Sequence, residues 1–165
     1  MTKNKEPKSH QLLKPFNGQR GVVAVEMAVL VILMTLLMAG IFEFARAFWY
    51  YNALSKSTRD AARYMSNVSG TDIVNNNNTN AAIATAKNLA LITANGANLK
   101  PALTASNIDI KCDSGACNGT KPSNVTVSII NFSVTIGSLF PFVSVPGGNY
   151  GSKTLSPSTT MRYMN

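Results

Sequence analysis

Residues 22–42 read VVAVEMAVLVILMTLLMAGIF, 21 positions containing one ionisable side chain, Glu26. As a helix this run is about 31 Å long, which matches a bilayer hydrocarbon core of about 30 Å. A soluble cytosolic enzyme is thereby excluded. The run is longer than the roughly 7–15 apolar residues of a cleaved secretory signal. An A-x-A-like site does follow at Ala45, Arg46 and Ala47, but charged Glu43 and Arg46 lie just before and within it. An uncleaved anchor or a pilin-type N-terminus fits the pattern better.

Charge gives the orientation. Residues 1–21 hold five basic side chains (Lys3, Lys5, Lys8, Lys14, Arg20) and one acid, Glu6, whereas the whole chain of 165 residues has 15 basic and 7 acidic groups. Basic flanks stay in the cytoplasm, so the N-terminus faces in and residues beyond 42 face out. The remainder, 22–165, carries ten basic and six acidic groups and no histidine, because His10 is the only one. Such a modest charge argues against a nucleic-acid partner. Phe42, Phe44, Phe48, Trp49, Tyr50 and Tyr51 place six aromatics within ten residues, as in an interfacial belt or, alternatively, a core patch.

Gly21 stands at the border between charge and apolarity, and VVAVE follows it, with the acid five residues on. This resembles the type IV prepilin signature. The resemblance implies cleavage after Gly21 by a membrane-embedded prepilin peptidase, a mature N-terminus at Val22, and Glu26 as the fifth mature residue. An acid in a transmembrane helix costs about 2.5–3.5 kcal/mol, so it calls for a partner. The new α-amino group of Val22 on a neighbouring subunit is one such partner, and pairing would set the register between helices. The alternative is that Glu26, one turn inside, snorkels to the headgroups alone.

The helical pattern continues without Pro or Gly from 43 to 66. Phe44, Phe48, Tyr51, Leu54, Thr58, Ala62 and Met65 recur at spacings of three or four, which predicts an apolar face with Arg46, Lys56, Arg59 and Arg63 elsewhere. Glu43 and Arg46 are spaced to pair on this helix. A helix over residues 22–66 would be about 67 Å long.

The G-x-x-A-V-E entry, the I-F-E-F-A-R group (41–46) and the R-x-A-A-R-Y close (59–64) resemble the N-terminal region of the TadE-like family, pseudopilins of the tight-adherence (Tad, type IVb) pilus system. TLSPSTTMRYM (154–164) is similar to that family's final strand ending in Met-Arg. Met27 departs from the Phe common after the glutamate, and the Asn-rich segment and CDSGAC are not family features. The resemblance implies a minor pilin or pseudopilin needed for pilus assembly, not an enzyme. Its implied partners are other Tad pilins and pseudopilins, the prepilin peptidase and the inner-membrane assembly platform. Gly21 and Val22 carry over as the processing site and Glu26 as the processing or docking acid. The implied location is the inner membrane, crossed once, with the C-terminal domain periplasmic and possible entry into a pilus.

Beyond Ser66 the chain is Asn- and Ser-rich, which reads as a polar loop to about Asn78. Asn80 is placed to cap a helix over 81–94, ended by Asn95 and Gly96, with Ile83, Ala86, Leu89, Ala90 and Ile92 as its buried face. Strands are expected at 108–112, at 125–136 with a change of phase at Ile129 and Ile130, and at 154–163, with a loop over 138–152. Cys112 and Cys117 flank a Ser-Gly turn and, in an oxidising compartment, close a small disulfide, with a free thiol pair as the alternative. Asp109 and Asp113 make a weak cation site without further ligands. Walker, G-x-S-x-G and H-E-x-x-H patterns are absent, and no cofactor, metal or catalytic site is expected.

The expected fold is α+β: a long N-terminal helix, half transmembrane and half exposed and amphipathic, carrying a small domain with a short helix and an antiparallel sheet. Its parts are a basic leader 1–21, a membrane helix 22–42, an exposed continuation 43–66 and an extracytoplasmic domain 67–165. A chain retaining residues 1–21 would instead be a signal-anchored binding or accessory protein.

Overall fold

The computed structural model describes residues 19–113, 115–117, 120–140 and 151–165. The leader to residue 18 and most of the expected 138–152 loop lie outside those residues. The elements are α1 (Gln19–Ser66), α2 (Gly70–Val74), α3 (Asn76–Asn95), a 3-10 turn (Ala105–Asn107), β1 (Ile108–Cys112), β2 (Asn124–Ile129), β3 (Ser133–Thr135), β4 (Ser152–Thr154) and β5 (Ser158–Arg162). The fold is α+β. By internal contacts the chain divides into two compact units, Met1–Leu37 and Met38–Asn165, and α1 contributes to both.

α1 is free of proline, and it is long and apolar enough to cross a membrane. Its valines and isoleucines are only fair helix formers in water. In hydrocarbon a helix satisfies its own backbone groups, which outweighs that preference. In the first unit the apolar side chains from Val22 to Leu37 are exposed, and Thr35 Oγ1 donates back to the Val31 carbonyl at 2.7 Å.

In the second unit the buried stripe of α1 runs through Ala39, Glu43, Tyr50, Leu54, Ser57, Thr58, Ala61, Ala62 and Met65. This corrects the expected face at its membrane end, where Phe44, Phe48 and Tyr51 are exposed. Apolarity alone pointed to the wrong side because a charged residue, Glu43, and half-buried Arg46 occupy the inward positions there. The buried hydroxyls are satisfied: Ser57 donates to the Leu54 carbonyl at 2.7 Å, and Thr58 Oγ1 lies 2.9 Å from Thr159 Oγ1.

The Asn-rich segment is not a loop. Ser69 caps α2 by accepting from the Asp72 N–H and donating to its carboxylate. Asn75 then caps α3, so that helix starts at Asn76, earlier than a cap at Asn80 would allow. Asparagine is among the best N-cap residues, so a polar run can begin a helix as readily as it can prevent one. Buried Ile73 and Thr79 anchor the junction, with Thr79 Oγ1 donating to the Ile73 carbonyl at 2.6 Å.

The inner face of α3 is Thr79, Ala82, Ala86, Ala90 and Ala94, while Ile92 is 66% exposed, against expectation. The small residues pack inward at three- and four-residue spacing, and the larger ones fall to the flanks. Thr93 Oγ1 lies 3.5 Å from Asp60 on α1. Ala61 and Ala62 of α1 are fully buried in the same core cluster as the α3 alanines.

β2 is the middle strand of an antiparallel sheet ordered β1-β2-β5. Ile108, Ile110 and Cys112 pair with Ile129, Val127 and Val125, so one apolar face of the sheet joins the core. The run expected as one strand over 125–136 is two strands in different sheets. Asn131 takes a left-handed backbone (φ 54°), where asparagine is tolerated, and the chain turns there. Phe132 and Val134 then return to the core, and β3 pairs with β4. The last expected strand is divided likewise: β4 ends at Thr154, and Pro157, with no N–H for a ladder, precedes β5.

Candidate processing and docking site

The residues Gly21, Val22 and Glu26 lie in the first two turns of α1. The Gly21–Val22 bond belongs to the opening turn, where helix N–H groups have no partner within the helix. Glycine is also a poor helix former, so unwinding this turn to expose the bond is inexpensive. A side chain on Gly21 would meet nothing within 4 Å. Val22 and Glu26 are four apart and share a face, about 6 Å along the axis. Both are exposed. The ion pairs among the described residues are Arg46–Glu43 and Lys111–Asp109, so Glu26 has no charge partner within them.

A second polar cluster lies further along α1. Glu43 is only 3% exposed. Its Oε2 accepts from Arg46 at 2.7 Å, and its Oε1 accepts the Leu139 N–H at 2.8 Å. The same Arg46 nitrogen donates to the Thr135 carbonyl at 2.8 Å, and the guanidinium lies 5.9 Å from the Tyr50 ring centre. A charged pair one helix turn long therefore ties the 135–139 segment to the helix. Spacing indicated the pair, but nothing local in the sequence indicated its far partners.

A family described as TadE-like protein matches residues 21–63. Residues 21–63 are a TadE-like domain. The match opens on the glycine at the charge border and takes in Glu26, Glu43, Arg46 and Arg63. That match, on an apolar N-terminal helix, is consistent with a Tad pilus-associated protein. No curated protein and no solved structure matches.

Outside the TadE-like domain, the chain end closes over the C-terminus of α1. The Met164 N–H donates to the Ser66 carbonyl at 3.0 Å, and the Tyr163 hydroxyl donates to the Val68 carbonyl at 2.6 Å. Burial, with the nearby Asp72 charge, pushes the Tyr163 hydroxyl above its ordinary pKa, so it remains a donor at all physiological pH. Orphan carbonyls at a helix end need such partners.

Cys112 and Cys117 form a disulfide with Cα atoms 4.8 Å apart. The Asp113 carboxylate accepts the Ser123 and Asn124 N–H groups at 2.9–3.1 Å. Asp109 pairs with Lys111 at 3.3 Å, and no group of three or more metal-ligating side chains occurs among the described residues. The loop closed by the disulfide is short, and chain entropy limits its stabilisation to about 2 kcal/mol. Replacing both cysteines by serine should speed amide exchange at 113–117 and leave β1–β2 protection intact; collapse of that sheet's protection would contradict a local role.

Proposed function

We propose that the chain is a minor pilin or pseudopilin required for assembly of a Tad-type, type IVb pilus. Its precursor is cut after Gly21 by a prepilin peptidase at the cytoplasmic face of the inner membrane. The mature helix beginning at Val22 docks among neighbouring pilins and the inner-membrane assembly platform through Glu26, and the unit after the membrane lies in the periplasm. One observation carries the reading: the TadE-like match begins at Gly21, the residue that also separates the basic flank from the apolar run. A periplasmic location suits the disulfide, since such bonds persist in oxidising compartments. The role is structural.

A second reading, an uncleaved anchored binding protein, draws on an open groove of about 900 Å³ lined by Asp60, Arg63, Tyr64, Asp72 and Asn78. That reading requires residue 1 to persist and Glu26 to tolerate glutamine. Under the pilin reading, cells lacking the protein should show no surface pili by electron microscopy, with recovery on re-expression. Normal piliation without it would favour the anchored binder.

A further inference from the structure

The core leaves an apolar surface uncovered. Phe42, Phe44, Phe48 and Trp49 project from α1 with exposures of 56–66%, directly after the apolar run. The Glu43 carboxylate holds the Leu139 N–H at this same level of the helix, and the Leu139 side chain is 53% exposed. Phe140 packs its ring 6.5 Å from that of Phe42. A separate segment of the folded unit is thus pinned beside the helix where it leaves the apolar run, with a large apolar side chain facing outward.

We propose that Phe42, Phe44, Phe48, Trp49, Leu139 and Phe140 form a collar that rests in the headgroup layer of a lipid bilayer, a membrane contact made by the folded unit in addition to the spanning helix. The proposal rests on reading 22–42 as the span. Continuity selects lipid as the occupant: Phe42 is the final residue of the run, the backbone from Phe44 to Trp49 rises about 3–11 Å beyond it, and helical side chains lean toward the N-terminus, which carries the Phe48 and Trp49 rings back toward the bilayer. The headgroup and interfacial layers add about 5–8 Å on each side of the hydrocarbon. Phenylalanine bodies together with an indole suit this layer, where one end is apolar and the other wet. The buried Glu43–Arg46 pair fixes the Leu139 backbone at that depth without presenting a charged side chain at the collar.

Trp49 is the only tryptophan, so its emission reports on the collar directly. The full chain in phosphatidylcholine vesicles should lose emission to lipids brominated near the headgroup more than to those brominated near the chain end. Both native cysteines are in the disulfide, so Leu139→Cys gives one labelling site. A nitroxide there should collide more with oxygen than with a water-soluble nickel complex, and the reverse should hold at Thr85→Cys on the exposed face of α3. Nickel-dominated collisions at both sites overturn the collar. So does Trp49 shielded from bromolipid and aqueous iodide alike, which would mean that a second copy covers it. Resistance of the vesicle-bound chain to alkaline carbonate tests the span separately. A resistant chain with an unquenched Trp49 removes the collar alone, and extraction by carbonate removes the span reading.

Discussion

A full-length chain carrying Glu26→Val is expected to insert in the membrane, to be cut after Gly21 and then to be lost from assembled pili. A carboxylate at this depth costs about 2.5–3.5 kcal/mol, so valine alone makes insertion easier. If the only role of Glu26 were to reach the headgroups one turn away, the variant would incorporate as well as the parent or better. With Glu26 paired to the Val22 ammonium of a neighbour, the substitution leaves that ammonium uncompensated in hydrocarbon at a similar cost. A few kcal/mol corresponds to about two orders of magnitude in an equilibrium. The ratio of the chain in sheared pili to that in membranes should fall by about this factor, with the cleaved length unchanged. Undiminished incorporation would remove Glu26 from docking. The structure supplies the premise for this test, because Glu26 is exposed and has no ion-pair partner among the described residues.

Glu43→Ala is expected to destabilise the second unit, Met38–Asn165, by about 3–5 kcal/mol, the usual cost of breaking a buried ion pair from one side. It leaves the Leu139 N–H and a mostly buried guanidinium without their acceptor. A double replacement, Glu43→Leu with Arg46→Met, should cost less than Glu43→Ala, because neither charge is then stranded. Thermal unfolding in detergent measures both, and a single-variant loss below about 1 kcal/mol would place the pair in the weak class of exposed salt bridges. The pH dependence has a definite sign. Burial alone would raise the Glu43 carboxyl, but the Leu139 N–H, the Arg46 hydrogen bond and charge, and the Phe140 N–H together hold it below its ordinary value of 4.5. A depressed folded pKa contributes stability above the unfolded value and loses it as pH falls through the folded one. Amide protection over 135–139 should therefore fall below about pH 4.5, and Glu43→Gln should flatten that dependence.

The features legible in the sequence were those written in local order. The apolar length of 22–42, the absence of proline to Ser66 and the alternation at 108–112 each give an element whose cause lies within the element. Distant partners decide the rest. Glu43 and Arg46 turn inward because Thr135 and Leu139 meet them from about ninety residues away, and this rotates the buried stripe off Phe44 and Phe48. The alanines of α3 face inward although isoleucine and leucine are more apolar, since the core there includes fully buried Ala61 and Ala62. The Asn-rich stretch carried two opposite meanings, and Ile73 and Thr79 at its flanks select the capped helix. Glu26 and Gly21 stood out because one charge in an apolar run and one glycine at its border contrast with everything around them.

The most direct test of the pilin reading is the intact mass of the protein taken from membranes of cells with and without the prepilin peptidase. The expected result is a chain beginning at Val22 when the peptidase is present, and one retaining residues 1–21 when it is absent. A chain that keeps residues 1–21 in both would contradict processing after Gly21, leaving a TadE-like helix that serves as a fixed inner-membrane anchor.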